Sequence, residues 1–277
     1  MVTIIIPAHN ESYGIAGCLE PFIDLINQNY LNVIVVCNGC SDNTVSIIKS
    51  LCSDIICIET DVPSKTKALN LGDNVAKYYP RIYLDADVVL TRDAIFAMCS
   101  TLESGALATS VEPQMDLSSS SWFVKAFYDI WLSLPYCKAG MIGSGIYALS
   151  EEGRSRFDRF PNIIADDGYV RALFTESERP VTKGHYAIVT APKDLLSLIK
   201  IKTRSRLGRY QLKDKFSELL SNEAKDFQGA FKSLCFDVKL WPKLLVYVGV
   251  NLISRIRARY QYITKQTKWE RDESSRA

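Results

Sequence analysis

The chain opens on an apolar, β-branched run over residues 2–7 that gives way at once to the polar Ala8-His9-Asn10-Glu11. Residues 31–36 repeat the pattern and end in Cys37-Asn38-Gly39-Cys40-Ser41-Asp42, and residues 54–58 and 81–84 follow. Short continuous apolar runs of this kind read as strands buried on both faces. Between them apolar positions return at helical spacing. Ile15, Cys18, Leu19, Phe22, Ile23 and Ile26 predict one amphipathic helix over 14–27 despite Pro21. Asp42-Asn43-Thr44 is placed to cap a second helix running through Lys49, and residues 65–77 form a third. Strand and helix alternate, which predicts a mostly parallel sheet covered by helices.

Further along, the pattern predicts a helix over 92–103, a strand over 106–111 and a polar loop, Asp116 to Ser121. The helix expected at 122–134 is heavy in Trp, Phe and Tyr. Such a helix either fills a core or forms an exposed apolar lip. Gly143-Ser144-Gly145 leads into a strand ending at Leu149, Asp166-Asp167 opens a helix reaching Phe174, and residues 186–190 form a last strand. Residues 195–201 read as a helix running toward the basic stretch Lys202 to Arg209. Residues 216–261 read as helices broken at Pro242. The apolar stretch 244–253 is too short to span a bilayer, which takes about 20 residues, and arginines follow it. Packing or an interfacial helix is expected instead.

The most informative stretch is Tyr83-Leu84-Asp85-Ala86-Asp87-Val88-Val89-Leu90. Two carboxylates one residue apart at a strand end repel each other unless a cation sits between them or the segment is a solvated turn. Three strands, ending at Pro7, Val36 and Leu84, present polar residues at one edge of the expected sheet. Ligands of open α/β sheets sit beyond the carboxyl ends of the strands.

The segments IIIPAHNE, VVCNGCSDNT, SKTKALNLG, LDADVVL and IIADDGYVR, in that order over roughly residues 2 to 210, resemble the motifs of family 2 glycosyltransferases of bacterial type. The resemblance implies the Rossmann-like α/β fold called GT-A, with a catalytic domain over 1–210 and a basic helical extension over 211–277. Residues 1–111 would form the nucleotide-sugar half of that domain and 112–210 the acceptor half. It implies transfer of a sugar from a nucleotide-diphospho-sugar, UDP- or GDP-linked, to a hydroxyl acceptor in polysaccharide or glycolipid synthesis, the acceptor free or lipid-linked.

By the same resemblance Asp87 would coordinate Mg²⁺ or Mn²⁺, with Asp85 on the ribose or the same ion and Ala86 between them. His185 would complete the metal site or serve structure only. Asp167 is the expected catalytic base, with Asp166 as the alternative. Pro7, Ala8, Asn10 and Glu11 would border the nucleoside. Many relatives carry two aspartates where this chain has Cys37-Asn38. Asn38 both donates and accepts hydrogen bonds, so the base it would recognise stays open. Asp42 matches a family position or caps its helix. Lys65 and Asn70 align with a K-A-x-A-L-N pattern, and Arg204 and Arg206 resemble a late basic motif that closes over the diphosphate. A single base and no second nucleophile point to inversion at the anomeric carbon. A nucleotidyltransferase of related fold, or a non-catalytic nucleotide-sugar-binding protein, is the alternative, but PAHNES lacks the glycine-rich phosphate loop of the former.

Composition narrows this further. The 277 residues carry 33 Lys and Arg against 31 Asp and Glu, and the basic excess lies after Lys200 while the segment before it is acidic. A basic end of this kind meets phosphates or anionic lipid heads, and peripheral membrane contact is an expectation. No zinc-finger spacing or aromatic-interleaved basic platform supports nucleic-acid binding. The eight cysteines include one close pair, Cys37 and Cys40, without a second pair or a nearby His, so reduced thiols are expected rather than zinc ligands. Met1 enters the first strand with no basic segment and apolar run before it, so a cytoplasmic protein is expected.

Overall fold

The computed structural model describes residues 1–138, 140–222, 234 and 236–265. An eight-stranded, mixed and mostly parallel sheet forms its centre. The strands are β1 (Val2–Ala8), β2 (Leu31–Asn38), β3 (Ile56–Thr60), β4 (Arg81–Leu84), β5 (Val88–Leu90), β6 (Ala108–Asp116), β7 (Ile146–Leu149) and β8 (Val181–Thr190), in the order β3-β2-β1-β4-β7-β6-β8-β5. The first four are parallel to one another, β7 runs antiparallel between β4 and β6, and β6 pairs parallel with β8.

Period-two geometry splits the strand side chains between two cores. Ile4, Ile6, Val33 and Val35 face one side, where they meet α1 (Ile15–Leu19), α2 (Ile23–Asn27), α3 (Thr44–Leu51) and α5 (Arg92–Glu103) through Ile15, Leu25, Ile48 and Ile95. Ile5, Ile34, Val36 and Tyr83 face the other, against Ala68 and Leu69 of α4 (Lys65–Val75) and Val170 of α8 (Asp166–Ala172). Gly72 of α4 lies so close to β1 that a Cβ there would stand 2.5 Å from Ile5 Cγ2, which sets how near helix and sheet approach.

Several boundaries differ from those read in the sequence, each for a physical reason. The helix expected over 14–27 is two short helices joined by a 3-10 turn, Glu20–Phe22, because Pro21 has no N–H to donate. The run through Val88–Leu90 is a separate strand, β5, paired antiparallel with β8. A short helix, α7 (Glu151–Ser155), was not anticipated; the Ser150 hydroxyl caps it by accepting from the Gly153 N–H. Pro242 does not break a helix but lies in the first turn of α10 (Trp241–Ile263), where a missing N–H costs nothing.

The basic stretch after residue 201 is helical too, so α9 (Leu195–Lys215) runs through it. The domain boundary expected at residue 210 therefore falls inside one helix, held by buried Thr203, Leu207, Gly208 and Leu212. Beside α9 the aromatic helix α6 (Trp122–Ser133) is both things the sequence allowed. Phe127, Tyr128, Ile130 and Trp131 are buried, while Trp122 and Phe123 are exposed. Lys202 places its ammonium 5.0, 5.2 and 4.6 Å from the ring centres of Phe127, Tyr128 and Trp131. Burial holds its pKa down at about 8. Of the helical extension expected over 211–277, residues 223–233, 235 and 266–277 lie outside the described residues.

Candidate active site

The sheet delivers its polar residues where the pattern placed them. At the end of β4 the chain turns sharply. The Asp85 N–H donates to the Gly145 carbonyl at 2.8 Å, and the Val88 N–H returns to the Asp85 carbonyl at 3.2 Å. The solvated-turn and ligand-site readings of the acidic pair are thus compatible, since a turn projects both carboxylates beyond the sheet. Gly145 adopts a φ of 62°, and a Cβ there would meet Val88 Cγ2 at 2.6 Å and Asp85 Oδ2 at 3.3 Å. Only glycine leaves the carboxylate its room. Ala86 is buried beneath the turn and Asp87 is exposed at its tip.

Across from this turn, α4 begins. Ser64 caps it by accepting from the Lys67 N–H, and Lys65 is its first residue. The Lys65 ammonium stands 2.7 Å from Asp85 Oδ1 and 3.1 Å from Asp166 Oδ1. Asp166 is 2% exposed, and its second oxygen is buried with no hydrogen-bond partner. Asp167, the next residue, is exposed and accepts from the Gly168 N–H at 2.7 Å. Asp85, Asp166, Asp167, Lys65, Pro7 and Tyr147 line one cavity.

The loop that brings Asp166 there is anchored by Asn70. Its side chain donates to the Phe160 carbonyl at 3.0 Å and accepts the Phe160 N–H at 2.9 Å.

One ammonium shared among these carboxylates leaves the cluster strongly anionic. Burial pushes the Asp85 carboxyl upward, with Asp87 and Asp166 adding to it and Lys65 opposing. Asp166 is pushed up by burial and by Asp167, again against Lys65. Burial opposes the charge of Lys65, but Asp166, Asp85 and Asp167 outweigh it and hold the pKa of Lys65 above the usual lysine value. Two carboxylates on a tight turn beside an unsatisfied buried carboxylate oxygen suit a hard, oxygen-preferring divalent ion such as Mg²⁺ or Mn²⁺. Among the described residues no three His, Cys, Asp or Glu side chains are grouped to hold a metal unaided. An ion at Asp85 and Asp87 would therefore complete its shell with water and substrate oxygens.

His185 does not join them. The β5–β8 register pairs Val88 with Val189 and Leu90 with Ala187, so His185 lies beyond Leu90, at the opposite end of β5 from Asp87. The separation along the strand is roughly 16 Å at about 3.3 Å per residue.

The residues expected around the nucleoside are largely committed to joining two loops. The Asn38 side chain donates to the Ala8 carbonyl at 2.7 Å and to Val36. It ties β1 to β2, so its donors are spent on the backbone. Asn10, with a φ of 50°, accepts from the Ser41 N–H at 2.7 Å. Asp42 accepts from the Thr44 and Ser12 N–H groups, both at 3.0 Å; the N-cap position of α3 is Asn43, so Asp42 reaches the first N–H of the helix from one residue outside the cap. Hydrogen bonds from Thr44 and Ser12 outweigh burial and hold its carboxyl down at about 2. Glu11 is buried behind this pair of loops and its N–H donates to Thr44 Oγ1.

On the far side of Lys65 a second cavity, about 460 Å³, is lined by Lys67, Arg204, Lys215 and Gln211 among others, and by no carboxylate. Arg204 is thus beside the cleft. Arg206 is not: it donates to Asn251 Oδ1 at 2.6 Å, on the face of α9 that packs against α10. In an α-helix, residues two apart point in different directions. Tyr147 was not anticipated as a wall of the site, and the glycine-led strand Gly143 to Leu149 was its only signal.

Comparison with known proteins agrees with this geometry. A family model described as "Glycosyl transferase family 2" matches residues 3–138. The search of curated proteins returned no match. Among solved structures, a mannosyltransferase, PcManGT from Pyrobaculum calidifontis in complex with GDP-Man and Mn²⁺, superposes with a TM-score of 0.64 at 16% identity, over 96% of this chain and 87% of that one. TarS 1-349 of S. aureus in complex with UDP-GlcNAc gives 0.54 at 12% identity, over 98% and 77%. At these identities the likeness is one of fold. It confirms the GT-A architecture.

Proposed function

The chain belongs to glycosyl transferase family 2 through residues 3–138, and from that premise we propose that it is an inverting transferase acting on a UDP- or GDP-linked sugar. The observation that carries the proposal is the convergence of Asp85, Asp166 and Asp167 on Lys65 at the carboxyl edge of the sheet. Asp167 is the base. It is exposed, whereas Asp166 is buried and held by Lys65, so Asp167 is the carboxylate an incoming hydroxyl can reach. Its carboxylate takes the acceptor's hydroxyl proton as the acceptor oxygen bonds to the anomeric carbon, and the bond from that carbon to the nucleoside diphosphate breaks on the opposite face.

Asp85 and Asp87 would hold Mg²⁺ or Mn²⁺, which when bound neutralises charge on the departing diphosphate as a Lewis acid. Lys65 orients Asp85 and Asp166. Arg204 and Lys67 offer cations to phosphate oxygens at the adjoining cavity. Solved structures of this fold described with GDP-Man and with UDP-GlcNAc support either nucleotide. The acceptor hydroxyl belongs to a growing glycan or glycolipid.

Incubating the full chain with UDP- and GDP-sugars, Mn²⁺ and saccharide acceptors tests the assignment. Release of nucleoside diphosphate and an inverted anomeric centre by NMR are expected, and Asp167→Asn should lower turnover by about 10²–10⁴-fold. Release of pyrophosphate from a nucleoside triphosphate and a sugar phosphate would make the protein a nucleotidyltransferase instead.

A further inference from the structure

Helix α10 is apolar on two sides. Leu244, Val250 and Ala258 are buried, and Val250, with half-buried Val246 and Tyr247, packs among side chains of α6 and α9. Its other side is largely exposed among the described residues. Trp241, Leu245, Val248, Leu252, Ile256 and Tyr260 follow one another at steps of three or four residues and are 54, 75, 48, 56, 62 and 62% exposed. Steps of that size form one stripe along a helix. From Trp241 to Tyr260 the stripe is about 29 Å long at about 1.5 Å per residue. Isolated exposed apolar residues are ordinary, but a continuous stripe of this length on a soluble face is not.

The charges around it are of one sign. The sequence Trp241–Ile263 contains Lys243, Arg255, Arg257 and Arg259 and no Asp or Glu. Lys243 is paired with Asp129 of α6, while Arg255 and Arg259 stand exposed beside the stripe. The first turn of α6 adds Trp122 and Phe123, 53 and 48% exposed. The start of α9 adds Leu196, 70% exposed. Those two helix starts are held together, since the Ser121 N–H donates to the Lys193 carbonyl at 2.8 Å and the Ser120 hydroxyl to the Pro192 carbonyl at 2.9 Å.

We propose that α10 lies in the plane of an anionic lipid surface, with its apolar stripe among the acyl chains and Arg255 and Arg259 at the headgroups. Two observations choose this occupant over a second copy of the chain, and a third sets how it would lie. Pairing two α10 helices would bring like charges together with no carboxylate in either helix to offset them. The exposed set includes Trp and Tyr, whose apolar rings and polar tips suit a lipid–water boundary. Among the described residues no helix is long and apolar enough to cross a membrane, so the stripe would enter the boundary without spanning it. The proposal is independent of the transferase reading.

Flotation of the full chain with phosphatidylcholine vesicles, with and without equal parts of phosphatidylglycerol, tests it. The protein should float with the anionic vesicles, and added salt should weaken the association. Leu245→Glu combined with Leu252→Glu removes no buried side chain, so its far-ultraviolet circular dichroism should match the parent while its partition falls by about tenfold or more. Arg255→Glu with Arg259→Glu should weaken binding to anionic vesicles and leave the weak association with neutral ones unchanged. Failure of the parent chain to float, or equal flotation of the leucine variant, would overturn the proposal. So would a stable dimer, seen by light scattering, that the leucine variant dissociates.

Discussion

Lys65 bridges Asp85 and Asp166, two residues brought from opposite halves of the chain, at 2.7 and 3.1 Å. Lys65→Met should leave Asp166, already short of one hydrogen-bond partner, buried without its cation. We expect a loss of about 1–3 kcal/mol in urea unfolding. Nucleoside diphosphate release should fall by about 100-fold, because the carboxylates lose the group that orients them.

Asp87 is exposed at the tip of its turn and contributes nothing to either core. Asp87→Asn should change stability without ligand by no more than about 0.5 kcal/mol. The rise in melting temperature caused by nucleotide sugar with Mn²⁺ should disappear in the variant, because that rise reports binding to the native form alone. Differential scanning fluorimetry of both proteins, with and without ligand, separates the two effects.

Asp73, behind the cavity wall formed by Tyr83, is 7% exposed and holds two guanidinium groups, Arg81 at 2.7 Å and Arg154 at 2.9 Å, and the Tyr83 hydroxyl at 2.8 Å. Asp73→Ala would strand two mostly buried cations. Removing one partner of a buried ionic group costs about 3–5 kcal/mol, so this variant should be among the least stable single substitutions in a denaturant series.

Glu178 gives the fold a pH dependence. Hydrogen bonds, first from Arg156 and then from Thr175, hold its carboxyl down at about 2, against an ordinary value of 4.5. A carboxyl depressed in the folded state stabilises above its unfolded pKa and loses that contribution as the pH falls through the folded one. Between about pH 5 and pH 3, therefore, the parent protein should lose stability faster than Glu178→Gln. Melting curves of the two across that range measure the difference.

Most of the sheet and the position of the acidic turn were legible because both rest on local pattern. Continuous apolar runs announce buried strands, and Asp85 and Asp87 interrupt one of them. What pattern could not supply was partnership. Nothing about Asn38 in the sequence says that its side chain will serve the backbone of a neighbouring loop before any ligand, and nothing about Asp42, read there as a possible cap, says that it will also reach the Ser12 N–H. Arg204 and Arg206 look equivalent as text, yet a helix turns one toward a cavity and the other toward Asn251. His185 was separated from Asp87 by strand register, which only pairing fixes. Asp73 passed as an ordinary polar residue of α4 because its partners, Arg81 and Arg154, arrive from a strand and from a helix that was itself missed.

Asn70 sits on the same helix as Lys65 and clasps the backbone of Phe160 with two hydrogen bonds. The helix therefore works as a yoke. The segment leading to Asp166 and Asp167 cannot swing outward without either tearing that clasp or dragging α4, and with it the lysine that steadies Asp85. Opening the cleft on one side thus disturbs the other, and the two halves are kept in step by the backbone before either has met a molecule.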